Sequence, residues 1–165
     1  MVRRAVMADL PTIKNIYCAA RDFMRTSGNP NQWGETYPEN EIICEDIVHN
    51  RLYVIERDDK TVGVFMFEIG ADSAYSEIDG AWLDNSVYGV IHRVAGLAEE
   101  HGIFKELFDF VGEKIDHLRI DTHHDNKVMQ GVLKKHGFIP CGVIYLENGE
   151  ARIAFEYTEK NPSRS

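Results

Sequence analysis

No stretch of this sequence approaches the roughly 20 apolar residues that a membrane-spanning helix needs, so no membrane association is expected. Cysteine is scarce. The three present, Cys18, Cys44 and Cys141, are scattered and odd in number. That argues against a disulfide framework or a cysteine-bound metal, and for reduced thiols in a cytoplasmic protein. Positive charge is in deficit, with 18 Lys and Arg against 27 Asp and Glu and a formal net charge of −9. Such a chain is a poor nucleic-acid binder, because that affinity comes largely from neutralising phosphates. It more naturally attracts a cationic ligand such as an amine. A secretory signal is not expected either, since Val2-Arg3-Arg4 lead straight into a mixed helical pattern. With no internal repeat, low-complexity segment or linker, the 165 residues read as one domain, 1–158, followed by a polar, flexible tail, 159–165.

What remains is an ordinary globular composition, 44% hydrophobic and 27% charged, with clear local periodicity. Asp9 can cap a helix that runs to about Ser27, with Leu10, Ile13, Ile16, Tyr17, Ala20, Phe23 and Met24 as its apolar stripe and Gly28 as its stop. A long loop over 28–38 leads to a shorter helix over 39–49, which buries Ile42, Ile43, Ile47 and Val48. Strands over 52–56 and 62–69 form a hairpin around Asp58 and Asp59. A polar stretch, 70–86, has one short apolar piece at Ala81-Trp82-Leu83. A strand at 88–95, a helix at 102–114 and a strand at 118–122 follow. A helix starting at Asp125 or Asn126 ends at Gly137. A last hairpin, 138–146 and 152–157, turns on Asn148-Gly149. The early hairpins favour an antiparallel half, and the strand-helix alternation over 88–146 favours a parallel pairing in the middle.

This order, with three motifs in sequence, resembles the GNAT superfamily of acetyltransferases, and the loop Gly28-Asn29-Pro30-Asn31-Gln32-Trp33-Gly34 looks like that of one subgroup of bacterial members. The motifs are the strand-turn-helix over 88–110, the segment Arg119-Ile120-Asp121-Thr122-His123-His124-Asp125-Asn126, and the helix ending Leu133-Lys134-Lys135-His136-Gly137-Phe138. The resemblance covers about 2–157. It implies an α/β (α+β) fold, with a mixed, mostly antiparallel central sheet of about seven strands and helices on both faces. It also implies acetyl-CoA as co-substrate, a small-molecule or peptide amine as acceptor and a homodimer as assembly, with no metal, nucleic acid or membrane partner. In the family the fourth strand offers backbone groups to the pantetheine arm, here near Val94 and Ala95. A Gln/Arg-x-x-Gly-x-Gly/Ala turn then wraps the pyrophosphate with the N–H groups of a helix N-terminus, where the dipole favours an anion. That pattern falls on Glu99-Glu100-His101-Gly102-Ile103-Phe104. Glu100, His101, Gly102, Ile103, Phe104 and Lys105 are the expected cradle, with Asn126 and Met129 against the arm. Glu99 replaces Gln or Arg. Phe104 replaces a small residue, and its side chain can block close approach of the phosphates or fill part of the site. Alternatively, the helix after Gly102 is ordinary and amphipathic, with Ile103, Phe104, Leu107, Phe108 and Val111 in the core.

The chemistry implied is direct attack of an amine on a thioester, which needs an uncharged amine, a donor for the carbonyl oxygen and a proton for the leaving thiolate. His92, beside the expected thioester, is the candidate base, since histidine titrates near neutral pH. Strand alternation places it on one face with Val94, and Arg93 with Ala95 on the other. Glu77 and Asp79 are alternative amine-binding or basic groups. The family's acidic tyrosine falls on Leu133, which leaves Tyr145 as the candidate acid. Asn29, Gln32, Trp33 and Tyr37 form the expected substrate-side rim. Asp121, His123, His124 and Asp125 have metal-ligand chemistry, but alternating side chains need not converge, and no metal is expected. The departures at Glu99, Phe104 and Leu133 also fit an alternative, a non-catalytic binding or regulatory module on the same fold.

Overall fold

The computed structural model describes residues 1–159; the expected C-terminal tail lies outside the described residues apart from Glu159. Eight strands form one sheet. They are β1 (Val2–Arg4), β2 (Leu52–Arg57), β3 (Lys60–Ile69), β4 (Asp79–Gly80), β5 (Gly89–Gly96), β6 (His117–Thr122), β7 (Ile139–Tyr145) and β8 (Ala151–Thr158). The helices are α1 (Leu10–Thr26), α2 (Asn40–Val48), α3 (Ile103–Gly112) and α4 (Lys127–Lys135). The spatial order is β1-β2-β3-β5-β6-β8-β7-β4. Every pairing is antiparallel except β5 with β6.

The expected hairpins are present. Asp58 and Asp59 both take positive φ, at 49° and 60°, as a two-residue turn between twisted strands demands. The sheet has one strand more than the sequence suggests. Asp79-Gly80 pairs with Val143 and Gly142 on β7. A side chain at Gly142 would put its Cβ 2.2 Å from the Asp79 carbonyl oxygen. Two residues are too few to show a strand period, so this pairing left no pattern to read.

Alternation along the strands builds two large cores, beside a smaller cluster of Tyr75, Val90, Ile144 and Ala154. Tyr53 and Ile55 pack with Phe65, Phe67 and the buried side of α3. Leu52 and Val54 on the opposite face pack with Val64, Met66 and the stripes of α1 and α2. Each fully buried aliphatic or aromatic side chain contributes about 1.5–3 kcal/mol. Two expected core positions differ: Phe23 in the last turn of α1 and Val48 at the end of α2 are exposed. Asp9 does not cap α1 with its side chain either. Its carboxylate accepts from Arg3 at 2.8 and 2.9 Å and from the Val6 N–H at 2.8 Å.

Candidate active site

The site is a place where the sheet comes apart. β5 and β6 pair only at Gly89 with Leu118 and Val90 with Arg119. Beyond Val90 the two strands have no common register. At the same point β5 slips against β3, with Met66 opposite His92 and Val64 opposite Ala95. Arg93 and Val94 thus share the space of the single residue Phe65, which is a β-bulge. Arg93 takes φ 50°, a conformation that costs a non-glycine residue about 1–3 kcal/mol and persists only where the surroundings enforce it.

They do so from three directions. Asp46 on α2, fully buried, accepts from Arg93 Nε at 2.7 Å and Nη2 at 2.9 Å. The Tyr37 hydroxyl accepts from Arg93 Nη1 at 3.2 Å. The Tyr17 hydroxyl donates to the Arg93 carbonyl at 2.9 Å. Burial alone would lower the proton affinity of the Arg93 guanidinium, but Tyr37 and Asp46 outweigh it and hold the group above its ordinary value.

The bulge also corrects the expected alternation. Val94 packs toward the α3 core, whereas His92 faces Tyr75 on the other side, at 5.9 Å between ring centroids. His92 Nε2 lies 2.7 Å from Asp72 Oδ2. This bond holds the Asp72 carboxyl below the usual aspartate range, against the opposing effect of burial. An ionised carboxylate only accepts, so Nε2 carries a hydrogen, and in the neutral ring Nδ1 is the acceptor. Nδ1 is 3.8 Å from Asp121 Oδ2, beyond hydrogen-bonding distance. That oxygen already accepts from the Tyr75 hydroxyl at 2.7 Å.

A cleft of about 500 Å³ opens around the bulge, bordered by His92, Arg93, Val94, Asp121, Thr122, Asn126 and Met129. Gln32, Trp33 and Tyr37 border its outer side. Trp33 is held edge-on to Tyr17 at 5.6 Å and tilted against Tyr37 at 6.1 Å. Asn29 lies behind them, buried, and donates to Gln32 Oε1 at 2.8 Å. The same oxygen accepts from Asn126 Nδ2 at 2.9 Å. Asn126 also caps α4, its Oδ1 accepting from the Met129 N–H at 3.0 Å.

Glu77 and Tyr145 are not brought together with His92. With Asp79 they border a separate depression of about 310 Å³, and Ala74 alone borders both spaces. Leu133 is fully buried in the α3–α4 core, so α4 presents no acid there. Three of the four metal-type residues converge: His123, His124 and Asp125 have ligand atoms within 4.8 Å of one another. Asp121 instead binds Tyr75.

The turn before α3 fits an acyl-coenzyme A better than its sequence suggests. Gly102 takes φ 75° at the head of α3, and no side chain caps the helix, so its first amides remain available to an anion. Glu100 is turned to Arg57, at 2.9 Å, and Glu99 toward Lys60, at 3.8 Å. Lys105 is paired with Asp109, one turn further along α3. The Ile103 and Phe104 side chains are buried in the α3 core, and Ala95 packs in the α1 core, so these residues present main chain only. In the cleft, the buried Thr122 hydroxyl has no hydrogen-bond partner, as expected of a group that meets a ligand.

The Phe104 ring therefore lies in the core and not in the expected phosphate position. It packs against Phe108, His136 and Phe138, at 6.3, 5.0 and 6.1 Å between centroids. Phe104→Ala is expected to cost about 3–5 kcal/mol of stability without improving coenzyme binding. Chemical denaturation and calorimetric titration with acetyl-CoA check the two halves.

Residues the sequence reading missed carry much of the site. Asp72 sits in the aperiodic 70–86 segment, where nothing marked it. Asp46 did leave a signal: with Ile43 and Ile47 it completes an i, i+3, i+4 stripe, where a carboxylate implies a buried partner.

No family model and no curated protein matches the sequence. Solved structures do. A GNAT-family acetyltransferase from Streptococcus agalactiae is 26% identical, with a TM-score of 0.87 over 98% of this chain and 96% of that one. A Staphylococcus aureus protein assigned as an acetyltransferase is 29% identical, with a TM-score of 0.71 over 96% and 98%. N-acetylglutamate synthase from Neisseria gonorrhoeae, solved with coenzyme A and N-acetyl-glutamate, has the same fold at 15% identity and a TM-score of 0.63, over 95% of this chain and 34% of that one.

Proposed function

We propose that this chain, which belongs to the GNAT superfamily of acetyltransferases, moves an acetyl group from acetyl-CoA to the primary amine of a small molecule or peptide. The observation that carries this reading is the pairing of His92 with Asp72 beside the strained bulge at Arg93-Val94. A proton acceptor and unladdered main chain border one cleft.

When bound, acetyl-CoA supplies a thioester carbonyl and a thiolate leaving group. The residues that would hold it are the main chain of Val94, the amides at the head of α3 after Gly102, and Thr122, Asn126 and Met129 along the cleft. His92 Nδ1 takes the proton from the acceptor's ammonium and leaves a neutral nitrogen. Asp72 holds the ring in the required tautomer and stabilises the imidazolium that forms, which returns its proton to the leaving thiolate as the C–S bond breaks, while the attacking nitrogen gives its second proton to solvent. The main chain near Val94 can donate to an acyl oxygen that gains negative charge. Gln32, Trp33 and Tyr37 orient the acceptor.

Calorimetric titration with acetyl-CoA, followed by free-thiol release against a panel of primary amines, tests the reading. Binding in the micromolar range and amine-dependent thiol release are expected. Binding without release for any amine would leave a non-catalytic module on this fold, and no binding would remove acetyl-CoA altogether.

A further inference from the structure

Among the described residues, two guanidinium groups, those of Arg119 and Arg152, are buried and a third, that of Arg93, is mostly so; of these, Arg152 is the one that faces the cleft without a buried counter-ion. Arg93 has Asp46, and Arg119 has Glu156; both carboxylates are fully buried. Arg152 is as deeply placed, with its side chain 5% exposed, yet its one carboxylate partner, Glu150 at 3.0 Å, is itself 51% exposed. Its other hydrogen bonds go to main-chain carbonyls, those of Ala151 at 3.0 Å and Gln32 at 3.2 Å. These bonds use three of its five N–H groups.

Arg152 borders the same cleft as His92, on the side of the substrate loop. On β8 it lies two residues before Ala154, which is paired with Asp121, so it stands about 7 Å along the strand from the position beside His92. A buried guanidinium with a solvent-exposed partner is an anion site in waiting: a planar carboxylate can take the Glu150 contact and the unused N–H groups together.

We propose that Arg152 anchors the acceptor through a carboxylate, so that the preferred amine belongs to an amino-acid-like molecule, its nitrogen at His92 and its acid group at Arg152. This rests on the acyl-transfer reading and narrows its acceptor class. A merely structural Arg152, tying the substrate loop to β8 through the Gln32 carbonyl, would not distinguish a carboxylate from a carboxamide.

The test uses that distinction. The full chain is titrated calorimetrically with matched pairs, free L-amino acids and the corresponding amino amides, and the same pairs are then assayed with acetyl-CoA. Wild type is expected to bind and acetylate at least one acid about tenfold better than its amide. Arg152→Met removes that ratio and leaves the amide unchanged, and Arg152→Lys restores part of it. Glu150→Gln, a change on an exposed residue, is expected to tighten acid binding several-fold by removing the competing carboxylate. Equal affinity for acid and amide in wild type, or a ratio that survives Arg152→Met, overturns the proposal. If Arg152→Met does not fold, an unchanged or weakened acid affinity in Glu150→Gln overturns it instead. Arg152-dependent acid binding without thiol release would overturn the acyl-transfer reading and leave the carboxylate site standing.

Discussion

His92→Gln is expected to lower kcat for amine acetylation near neutral pH by about 10²–10⁴-fold, the range for losing a positioned general base, while acetyl-CoA binding stays within about twofold of wild type. The geometry predicts more than a loss of rate. The base is needed because the acceptor arrives as an ammonium ion. As pH rises and the free amine accumulates in solution, the variant should recover, and the ratio of wild-type to variant rate should shrink. A ratio that stays constant with pH would assign His92 to positioning. Asp72→Asn should give a smaller loss of the same kind, because the amide can no longer hold the Nε2–H tautomer or stabilise the imidazolium. The Nε2 to Asp72 distance of 2.7 Å makes this the closest polar contact to the ring. Steady-state rates across the accessible pH range, with coenzyme binding measured separately, decide between the roles.

The second large effect is expected at a residue that does not border the cleft. Asp46 is fully buried and takes hydrogen bonds from Arg93 and from Arg51, the latter at 2.7 Å. Asp46→Ala leaves the mostly buried Arg93 without its anion. Breaking one side of a buried ion pair costs about 3–5 kcal/mol, so the melting temperature should fall by roughly 6–20 °C. Activity should fall further than stability explains, because Asp46 also holds Arg93 in its left-handed conformation and so maintains the bulge. The double variant Asp46→Leu with Arg93→Met separates the two effects. An apolar pair in place of a buried ion pair can recover stability, and the melting temperature should rise again. Activity should not, since nothing then holds the bulge. Recovery of both would mean that the bulge forms without the pair.

Phe104 shows how far local pattern carries. Compared with a phosphate-binding motif it looks like an obstruction. Compared with a helix period it belongs to the stripe Phe104, Leu107, Phe108 and Val111, and that stripe is the one that packs into the α3 core. The helical rotation that buries the stripe also commits the Phe104 ring to the core, so both readings concern one face, and packing decides between them. The acids at 99 and 100 are similar. Their charge is plain in the sequence, but Arg57 and Lys60, which draw it aside, lie about 40 residues earlier on another hairpin.

Helix stripes, hairpin turns and the order of elements depend on residues a few positions apart, so the sequence by itself determined the two-faced sheet and the start of the last helix at Asp125 or Asn126. The Asn148-Gly149 turn and the early hairpin belong to the same class. The bulge belongs to the other. Arg93 has no local reason to be left-handed; Asp46, Tyr37 and Tyr17 impose it from two helices and a loop. Asp72 reaches His92, and Tyr75 reaches Asp121, only because a polar segment without periodicity folds back over the sheet. Tertiary structure alone decided those contacts, because each joins segments whose distance along the chain says nothing of their distance in space.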